Sequence, residues 1–238
     1  MTGPRLVVFD WDGTLMDSEA HIVGSMEAAM ADLDLEPPPR ERIRSIIGLG
    51  LAEALQELFP ERPDPAFRAA LVERYRARFF AADAPGALFP GARETLGILR
   101  EAGHVLAVAT GKSRRGLDLA LAQTGLGECF AVTRCADETR SKPHPQMLEE
   151  ILAATGSTPA EAVMVGDTEF DLAMARAAGV AGIAATYGVH PPDRLLPQAP
   201  VALIAAIREL PEALAAWPGG EGRDGGVPIA GSGAGLRG

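Results

Sequence analysis

The sequence predicts an α/β fold in which a doubly wound parallel sheet carries an inserted all-helical subdomain. Short apolar runs alternate with helix-like segments along most of the chain. A long stretch that reads as helix alone separates the first apolar run from the others. Three of the runs end in small or polar residues, which is typical of ligand sites in open α/β sheets.

The strands are predicted from four runs that are apolar on both faces, as expected when helices cover both sides of a parallel sheet. These runs span residues 6–9, 105–109, 162–165 and 180–184. Helix-like segments accompany them at residues 92–100, 113–123, 145–154 and 170–177. Strand and helix therefore alternate in the order that a doubly wound sheet requires.

The inserted subdomain is predicted from helical spacing without any strand signal between residues 18 and 88. Two apolar faces recur at intervals of three and four residues, and they comprise Ile22, Met26, Met30 and Leu33, and then Phe67, Leu71, Tyr75 and Phe79. Three consecutive prolines, residues 37–39, mark a turn between helices. We therefore expect an α/β core at 1–17 and 89–217, a helical subdomain at 18–88, and a disordered glycine-rich tail at 218–238.

Composition restricts the classes of partner. The 238 residues carry a formal net charge of −10, which argues against nucleic acid and against an anionic membrane surface as partners. We find no signal peptide and no apolar stretch of the roughly 20 residues that span a bilayer, so we expect a cytoplasmic protein. Two cysteines do not make a disulfide scaffold.

The basic residues are unevenly divided. Arginine supplies 20 of the 22 basic residues, which leaves only Lys112 and Lys142 as lysines. In a chain that uses arginine almost everywhere, these two positions suggest a need for a compact ammonium group rather than a planar guanidinium. Chance survival of two lysines is the alternative.

Three predicted strands deliver polar residues to the same edge of the sheet. They end in Asp10-Trp11-Asp12-Gly13-Thr14, Thr110-Gly111-Lys112-Ser113 and Gly166-Asp167-Thr168. Ligands of open α/β sheets bind outside the carboxyl ends of the strands, so these three segments predict one site. Lys142, in Ser141-Lys142-Pro143-His144-Pro145, adds a positive charge to the set.

These residue types point to phosphoryl transfer. Asp10 and Asp12 can supply an ionised nucleophile and a neighbouring general acid. Asp167 adds a third carboxylate, and such a concentration of negative charge calls for a hard cation such as Mg²⁺. Thr110, Gly111 and Lys142 offer a hydroxyl, a backbone N–H and an ammonium to a phosphoryl group.

The motifs resemble those of the haloacid dehalogenase-like (HAD) hydrolase superfamily, whose core is Rossmann-like. The resemblance rests on Asp10-Trp11-Asp12-Gly13-Thr14-Leu15, Thr110, Lys142 and Gly166-Asp167-Thr168-Glu169-Phe170-Asp171, and it covers about residues 5–215. The helical insertion is similar to the C1 cap of subfamily I, and Thr-Gly-Lys-Ser with Ser-Lys-Pro-His-Pro is similar to the phosphoglycolate phosphatase-like branch. Trp11 departs mildly, because an aliphatic residue is commoner there.

The resemblance implies a role for each matched position. Asp10 would be the nucleophile and a metal ligand, while Asp12 would act as acid and base and bind metal through its carbonyl. Thr110 and Gly111 would hold phosphoryl oxygens, together with the backbone N–H of Trp11. Lys142 would neutralise charge on the nucleophile and the transferring group. Asp167 would be a metal ligand, and Asp171 would steady Lys142 or metal-bound water.

The sequence leaves several alternatives open. Dehalogenases of the superfamily lack the second aspartate, so Asp12 disfavours that reaction. A β-phosphoglucomutase-like mutase shares the site, and a non-catalytic phosphometabolite-binding protein is the rival from another class. The expected substrate is a small phosphorylated metabolite, phosphoglycolate first and a sugar phosphate second, and the expected assembly is a monomer or homodimer.

Three positions near the predicted site have two interpretations each. Lys112 would guide an anionic substrate or simply begin a helix, and Gly48 would lie in a cap loop near the substrate or form a plain turn. Arg44 would reach a second anionic group or be an exposed helix residue. We expect a structural role for His144, and we assign no function to His21, His104 and His190, which lack zinc-ligand spacing.

Overall fold

The computed structural model describes residues 4–81 and 86–217. Its eight strands, in chain order, are β1 (Leu6–Phe9), β2 (Met16–Asp17), β3 (Ala87–Leu88), β4 (Val105–Thr110), β5 (Val132–Cys135), β6 (Ala162–Gly166), β7 (Ala181–Ala185) and β8 (Ala202–Ile204). Six of them form one parallel sheet in the order β5-β4-β1-β6-β7-β8. This arrangement confirms the α/β fold class predicted from the sequence.

Helices cover both faces of this sheet. Those that flank it, in chain order, are α5 (Ala92–Glu101), α6 (Arg114–Thr124), α7 (Gln146–Thr155), α8 (Glu169–Ala177), α9 (Pro192–Leu195) and α10 (Leu210–Ala215). Because successive side chains of a strand point to opposite faces, β1 supplies Val7 and Phe9 to one core and Leu6 and Val8 to the other. Helices α5, α6 and α10 pack on the first face, and α7 and α8 pack on the second.

The inserted helices have a hydrophobic core of their own. They are α1 (Glu19–Ala31), α2 (Arg40–Arg44), α3 (Leu51–Leu58) and α4 (Pro65–Ala81). Met26 and Met30 of α1 pack with Leu55 of α3 and Leu71 of α4 in one cluster. We call this helical layer the cap. The exact division of the chain at residues 17 and 89 stays a prediction.

The structure corrects several details of the sequence prediction. Residues 18–88 are not purely helical, since Ala87–Leu88 forms an antiparallel pair with Met16–Asp17 at the base of the cap. The strands Val132–Cys135 and Ala202–Ile204 were not predicted, and the strand predicted at 180–184 lies one residue later, at Ala181–Ala185. The glycine-rich tail at 218–238 lies outside the described residues. Within those residues, no helix is both long enough and apolar enough to cross a membrane.

Candidate active site

The carboxyl ends of three adjacent strands bring the predicted residues together. Strand β1 lies between β4 and β6, so Asp10, which follows β1, has Thr110 on one side and Asp167 on the other. The backbone N–H of Asp10 donates to the carbonyl of Val165 at 2.9 Å, which extends the ladder by one residue into the site. Asp10, Thr110 and Asp167 are all fully buried.

Lys142 forms the central ion pair of this edge. Its Nζ lies 2.8 Å from Asp10 Oδ1 and 2.6 Å from Asp171 Oδ1, and its side chain has no exposed surface. Burial alone would lower the pKa of Lys142, but the two carboxylates raise it above its ordinary value. The other oxygen of Asp171 accepts hydrogen bonds from the backbone N–H and the hydroxyl of Thr168. Asp171 therefore fixes the Lys142 ammonium in place.

Burial disfavours the ionised forms of Asp10 and Asp167. Desolvation raises the pKa of Asp10 to about 7, although Lys142 acts in the opposite direction. Desolvation and the neighbouring Asp10 also raise the pKa of Asp167 well above its ordinary value. Oxygen atoms of Asp10, Asp167 and Asp171 all lie within 4.8 Å of one another. If all three carboxylates were ionised, the single Lys142 ammonium would leave two negative charges without compensation in this cluster.

The residues fit a divalent cation with oxygen ligands. Asp10 Oδ2 is buried and has no hydrogen-bond partner among residues 4–81 and 86–217. Gly13 has φ of +82°, and a Cβ there would lie 2.1 Å from Asp167 Oδ2, so the turn after β1 closes directly over that carboxylate. Asp167 is held by the hydroxyl of Thr14 at 2.7 Å and the backbone N–H of Val189 at 2.8 Å. Two uncompensated charges and an unpaired carboxylate oxygen match a hard dication.

Asp12 occupies a different environment from that of Asp10. Its Oδ1 lies 2.9 Å from Nζ of Lys112 and accepts a hydrogen bond from the hydroxyl of Ser18, and its side chain does not join the carboxylate cluster. The Lys112 ammonium also lies 4.9 Å from the ring centroid of Phe79 on the cap helix α4. Lys112 is not a residue of the following helix, which begins at Arg114 with Ser113 as its N-cap. A core lysine thus joins Asp12 to the cap.

A cavity of about 250 Å³ opens between this edge and the cap. Asp10, Asp12, Gly48, Gly111 and Lys112 are among the residues that line it. The Gly48 loop of the cap contacts the loop after β4, because a Cβ on Gly111 would lie 2.6 Å from the carbonyl oxygens of both Gly48 and Leu49. The structure therefore brings both glycines, predicted as substrate-binding residues, to the same cavity.

Two other predicted positions point away from the cavity. The Trp11 side chain is fully buried and packs edge-on against Phe130, with ring centroids 6.2 Å apart. Only its backbone N–H stays a candidate contact for a phosphoryl group. The Arg44 guanidinium pairs with Glu19 at 2.7 Å and donates to the carbonyl of Val189 at 3.0 Å, so its role is to tie the cap to the core.

The structure adds three polar residues to which the sequence motifs assign no role in the site. Ser18 donates to Asp12, and the hydroxyl of Ser141, beside Lys142, accepts from the backbone N–H of Gly50 in the cap at 2.7 Å. His190 is buried between the two layers. Each of these contacts joins segments whose approach is set by tertiary packing, and only the adjacency of Ser141 to Lys142 could have marked one of them in advance.

His190 is held as a single neutral tautomer. Its Nδ1 accepts from the backbone N–H of Glu169 at 3.2 Å, so its Nε2 carries the proton and donates to the carbonyl of Ser45 at 3.1 Å. Desolvation, and then the nearby Arg194, lower the pKa of His190 to about 4. The residue is therefore a structural link between cap and core.

Comparisons with known proteins agree with this geometry. The family model described as haloacid dehalogenase-like hydrolase matches residues 7–185. A Dickeya dadantii protein named "Probable phosphatase IndB" is 36% identical over 209 residues, covering 86% of this chain and 91% of the relative. The phosphoglycolate phosphatase of Pseudomonas putida is 32% identical over 215 residues, covering 88% of this chain and 79% of that enzyme.

A solved structure gives the same fold. A haloacid dehalogenase-like family hydrolase from Streptococcus pneumoniae superposes with a TM-score of 0.78 at 24% identity, covering 89% of this chain and 99% of the other. The fold, the matched motifs and the named relatives agree with one another. This chain belongs to the haloacid dehalogenase-like hydrolase family, and within that family it is similar to proteins named as phosphatases, phosphoglycolate phosphatase among them.

Proposed function

We propose that the protein is a Mg²⁺-dependent phosphatase that hydrolyses a small phosphorylated metabolite through an aspartyl-phosphate on Asp10. The observation that carries this proposal is the state of Asp10. Its carboxylate is buried, pairs with Lys142 through Oδ1, leaves Oδ2 without a hydrogen-bond partner among the described residues, and borders the cavity. A desolvated carboxylate that faces the substrate cavity is poised to act as a nucleophile.

In the first step, a carboxylate oxygen of Asp10 attacks phosphorus and the bond from phosphorus to the leaving oxygen breaks. Asp12, when protonated, gives its proton to that oxygen, so an alcohol leaves. Thr110 and the backbone N–H groups of Trp11 and Gly111 would hold the other phosphoryl oxygens. Fixed donors of this kind stabilise the charge of the transition state.

In the second step, water attacks the phosphorus of the aspartyl-phosphate and Asp12 takes its proton. Phosphate leaves and the Asp10 carboxylate is restored. The Lys112 ammonium and the Ser18 hydroxyl hold the Asp12 side chain in one orientation for this step. Asp12 thus alternates between acid and base, as general acid–base catalysis requires.

Asp10, Asp167 and the backbone carbonyl of Asp12 would hold Mg²⁺. The bound cation would neutralise charge on the transferring phosphoryl group. Lys142 supplies a fixed positive charge beside the nucleophile, and Asp171 holds Lys142 in position. The names of the relatives support phosphoglycolate as a substrate, and a sugar phosphate is the second candidate. A cytoplasmic location and a monomeric or homodimeric assembly stay predictions.

Phosphate release from ethyl phosphate tests this proposal. We expect turnover that disappears with EDTA, returns with added Mg²⁺, and falls by at least about a thousandfold in Asp10→Asn. Asp193→Asn is the matched control, because Asp193 is exposed on α9, and it should retain activity. Retained Mg²⁺-dependent turnover in Asp10→Asn would refute the nucleophile. Tight binding of phosphate esters without turnover in the native enzyme would favour the non-catalytic alternative.

A further inference from the structure

The wall of the cavity opposite Asp10 and Asp12 is largely apolar. It includes Ile22 and Met26 of α1 and Ile47 near the Gly48 loop. Three aromatic side chains of α4, Tyr75, Phe79 and Phe80, also line it, and we call them the aromatic shelf. The shelf is continuous, since the ring centroids of Tyr75 and Phe79 lie 5.6 Å apart and those of Phe79 and Phe80 lie 5.4 Å apart.

Packing from the core and the cap holds this shelf in place. The His21 ring lies 4.4 Å from the Phe79 ring, centroid to centroid, and the Lys112 ammonium lies over Phe79. The Arg115 guanidinium lies 4.4 Å from the ring centroid of Phe80. Aromatic rings fixed in this way bury a flat apolar group at little cost in conformational entropy.

The charges around the cavity are unsuited to an anionic leaving group. Its acidic lining residues are Asp10, Asp12, Glu53 and Asp137, and its basic ones are Lys112 and Arg76. Lys112 is already paired with Asp12, and its side chain is only 6% exposed. Arg76 is exposed to solvent. A carboxylate on the leaving group would therefore find no unpaired buried cation among the described lining residues.

Tyr75 adds a neutral polar group to the cap side of the cavity. Desolvation, with a smaller contribution from Asp12, raises the pKa of the Tyr75 hydroxyl above its ordinary value. Its hydroxyl therefore stays neutral and can donate a hydrogen bond to an uncharged substrate atom. The described lining thus offers an apolar face, the neutral Tyr75 hydroxyl and no buried cation that is unpaired.

We propose that this cavity selects phosphate monoesters whose leaving group is uncharged and has a flat apolar face, in preference to carboxylate-bearing esters such as phosphoglycolate. The inference rests on the proposed phosphatase function, and it ranks phosphoglycolate, the candidate taken from the names of the relatives, below esters with an uncharged leaving group. Asp10 and Asp12 carry out the transfer of the phosphoryl group, whereas the aromatic shelf determines which phosphate ester supplies that group. The size of this preference follows from the apolar surface that a ring of the leaving group buries against the aromatic shelf.

The native enzyme with Mg²⁺ and three substrates tests this preference. The substrates are 2-phenylethyl phosphate, ethyl phosphate and phosphoglycolate, all of which release a primary alcohol. We expect kcat/KM for 2-phenylethyl phosphate to exceed each of the other two by about tenfold or more. A ratio below about five against either substrate would overturn the inference while leaving the phosphatase function intact. No turnover of any of the three would instead refute the proposed function.

The variant Phe80→Ala tests whether the aromatic shelf produces the preference for 2-phenylethyl phosphate. Phe80 is partly exposed and is not part of the hydrophobic clusters of the cap or sheet, so the substitution should leave folding intact. We expect its 2-phenylethyl to ethyl ratio of kcat/KM to fall by at least about threefold. Ile98→Ala removes a 51% exposed apolar side chain from α5 and should retain the native ratio. An undiminished ratio in Phe80→Ala would show that the shelf does not bind the leaving group.

Discussion

The Nζ atom of Lys112 lies 2.9 Å from Oδ1 of Asp12 and 4.9 Å from the ring centroid of Phe79. One side chain of the sheet edge thus contacts both the proposed acid–base residue and the cap helix that lies over it. Both lysines of this arginine-rich chain are buried against carboxylates of the site, Lys142 against Asp10 and Lys112 against Asp12. A compact ammonium fits these positions, as the composition suggested.

Lys112→Met should impair the step that depends on Asp12. Without the ammonium, Asp12 retains Ser18 alone as a side-chain partner among the described residues, so its carboxyl group is less precisely oriented. We expect kcat for ethyl phosphate to fall by about tenfold or more, and kcat for p-nitrophenyl phosphate to fall less, because nitrophenolate leaves without a proton. Equal losses with both substrates would indicate a general structural defect. Lys112→Arg should restore activity only partly.

The substitution Gly111→Ala should push the Gly48 loop of the cap away from the loop after β4. A methyl group there would lie 2.6 Å from the carbonyl oxygens of Gly48 and Leu49, so one of the two loops must shift. We expect kcat/KM to fall by about 10- to 100-fold in steady-state assays. Gly97→Ala is the matched control, because nothing lies within 4 Å of a Cβ at that position of α5. Native activity in Gly111→Ala would show that the loop contact is dispensable.

His190 should make stability depend on pH. Its pKa is about 4 in the folded protein against 6.5 as the ordinary value, so the unfolded chain binds more protons between these limits. The contribution of neutral His190 is complete above pH 6.5 and is lost as the pH falls toward 4. Asp10 and Asp167, whose pKa values are raised, act in the opposite direction in metal-free protein.

Comparison with His190→Gln isolates this residue, since glutamine does not titrate and Asp10 and Asp167 are common to both proteins. We expect the native protein's advantage in free energy of unfolding to shrink by about 2 kcal/mol between pH 7.5 and pH 5. Urea denaturation in the presence of EDTA measures the free energy of unfolding of each protein at the two pH values. A constant difference between the two proteins would contradict the lowered pKa of His190.

The central sheet could be predicted because its strands are buried on both faces. Leu6–Phe9 and Ala162–Gly166 are buried at every position, which produces continuous apolar runs. Val132–Cys135 is an edge strand whose first three residues are half-buried and include threonine and arginine, so no apolar run marks it. Ala202–Ile204 is also at an edge and has only three residues. The pair of two-residue strands is too short for any periodic signal.

The site residues could be predicted where the order of the strands alone brings them together, as for Asp10, Thr110 and Asp167. The pairing of Lys112 with Asp12 could not, because it joins residues 100 positions apart through loop conformation. The same holds for the aromatic shelf. Helical spacing placed Tyr75 and Phe79 on one face, but only the packing of the cap against the sheet edge shows that this face lines the cavity.

The proposed mechanism is tested most directly by finding which residue carries the phosphoryl group during turnover. Asp12→Ala, mixed with p-nitrophenyl phosphate and Mg²⁺, should release a burst of nitrophenolate and accumulate the covalent intermediate, since the base for its hydrolysis is missing. Acid quenching, proteolysis and mass spectrometry should then find the mass of one phosphoryl group on Asp10. Nitrophenolate and phosphate released in step, with no phosphoryl group on Asp10, would contradict the proposed mechanism.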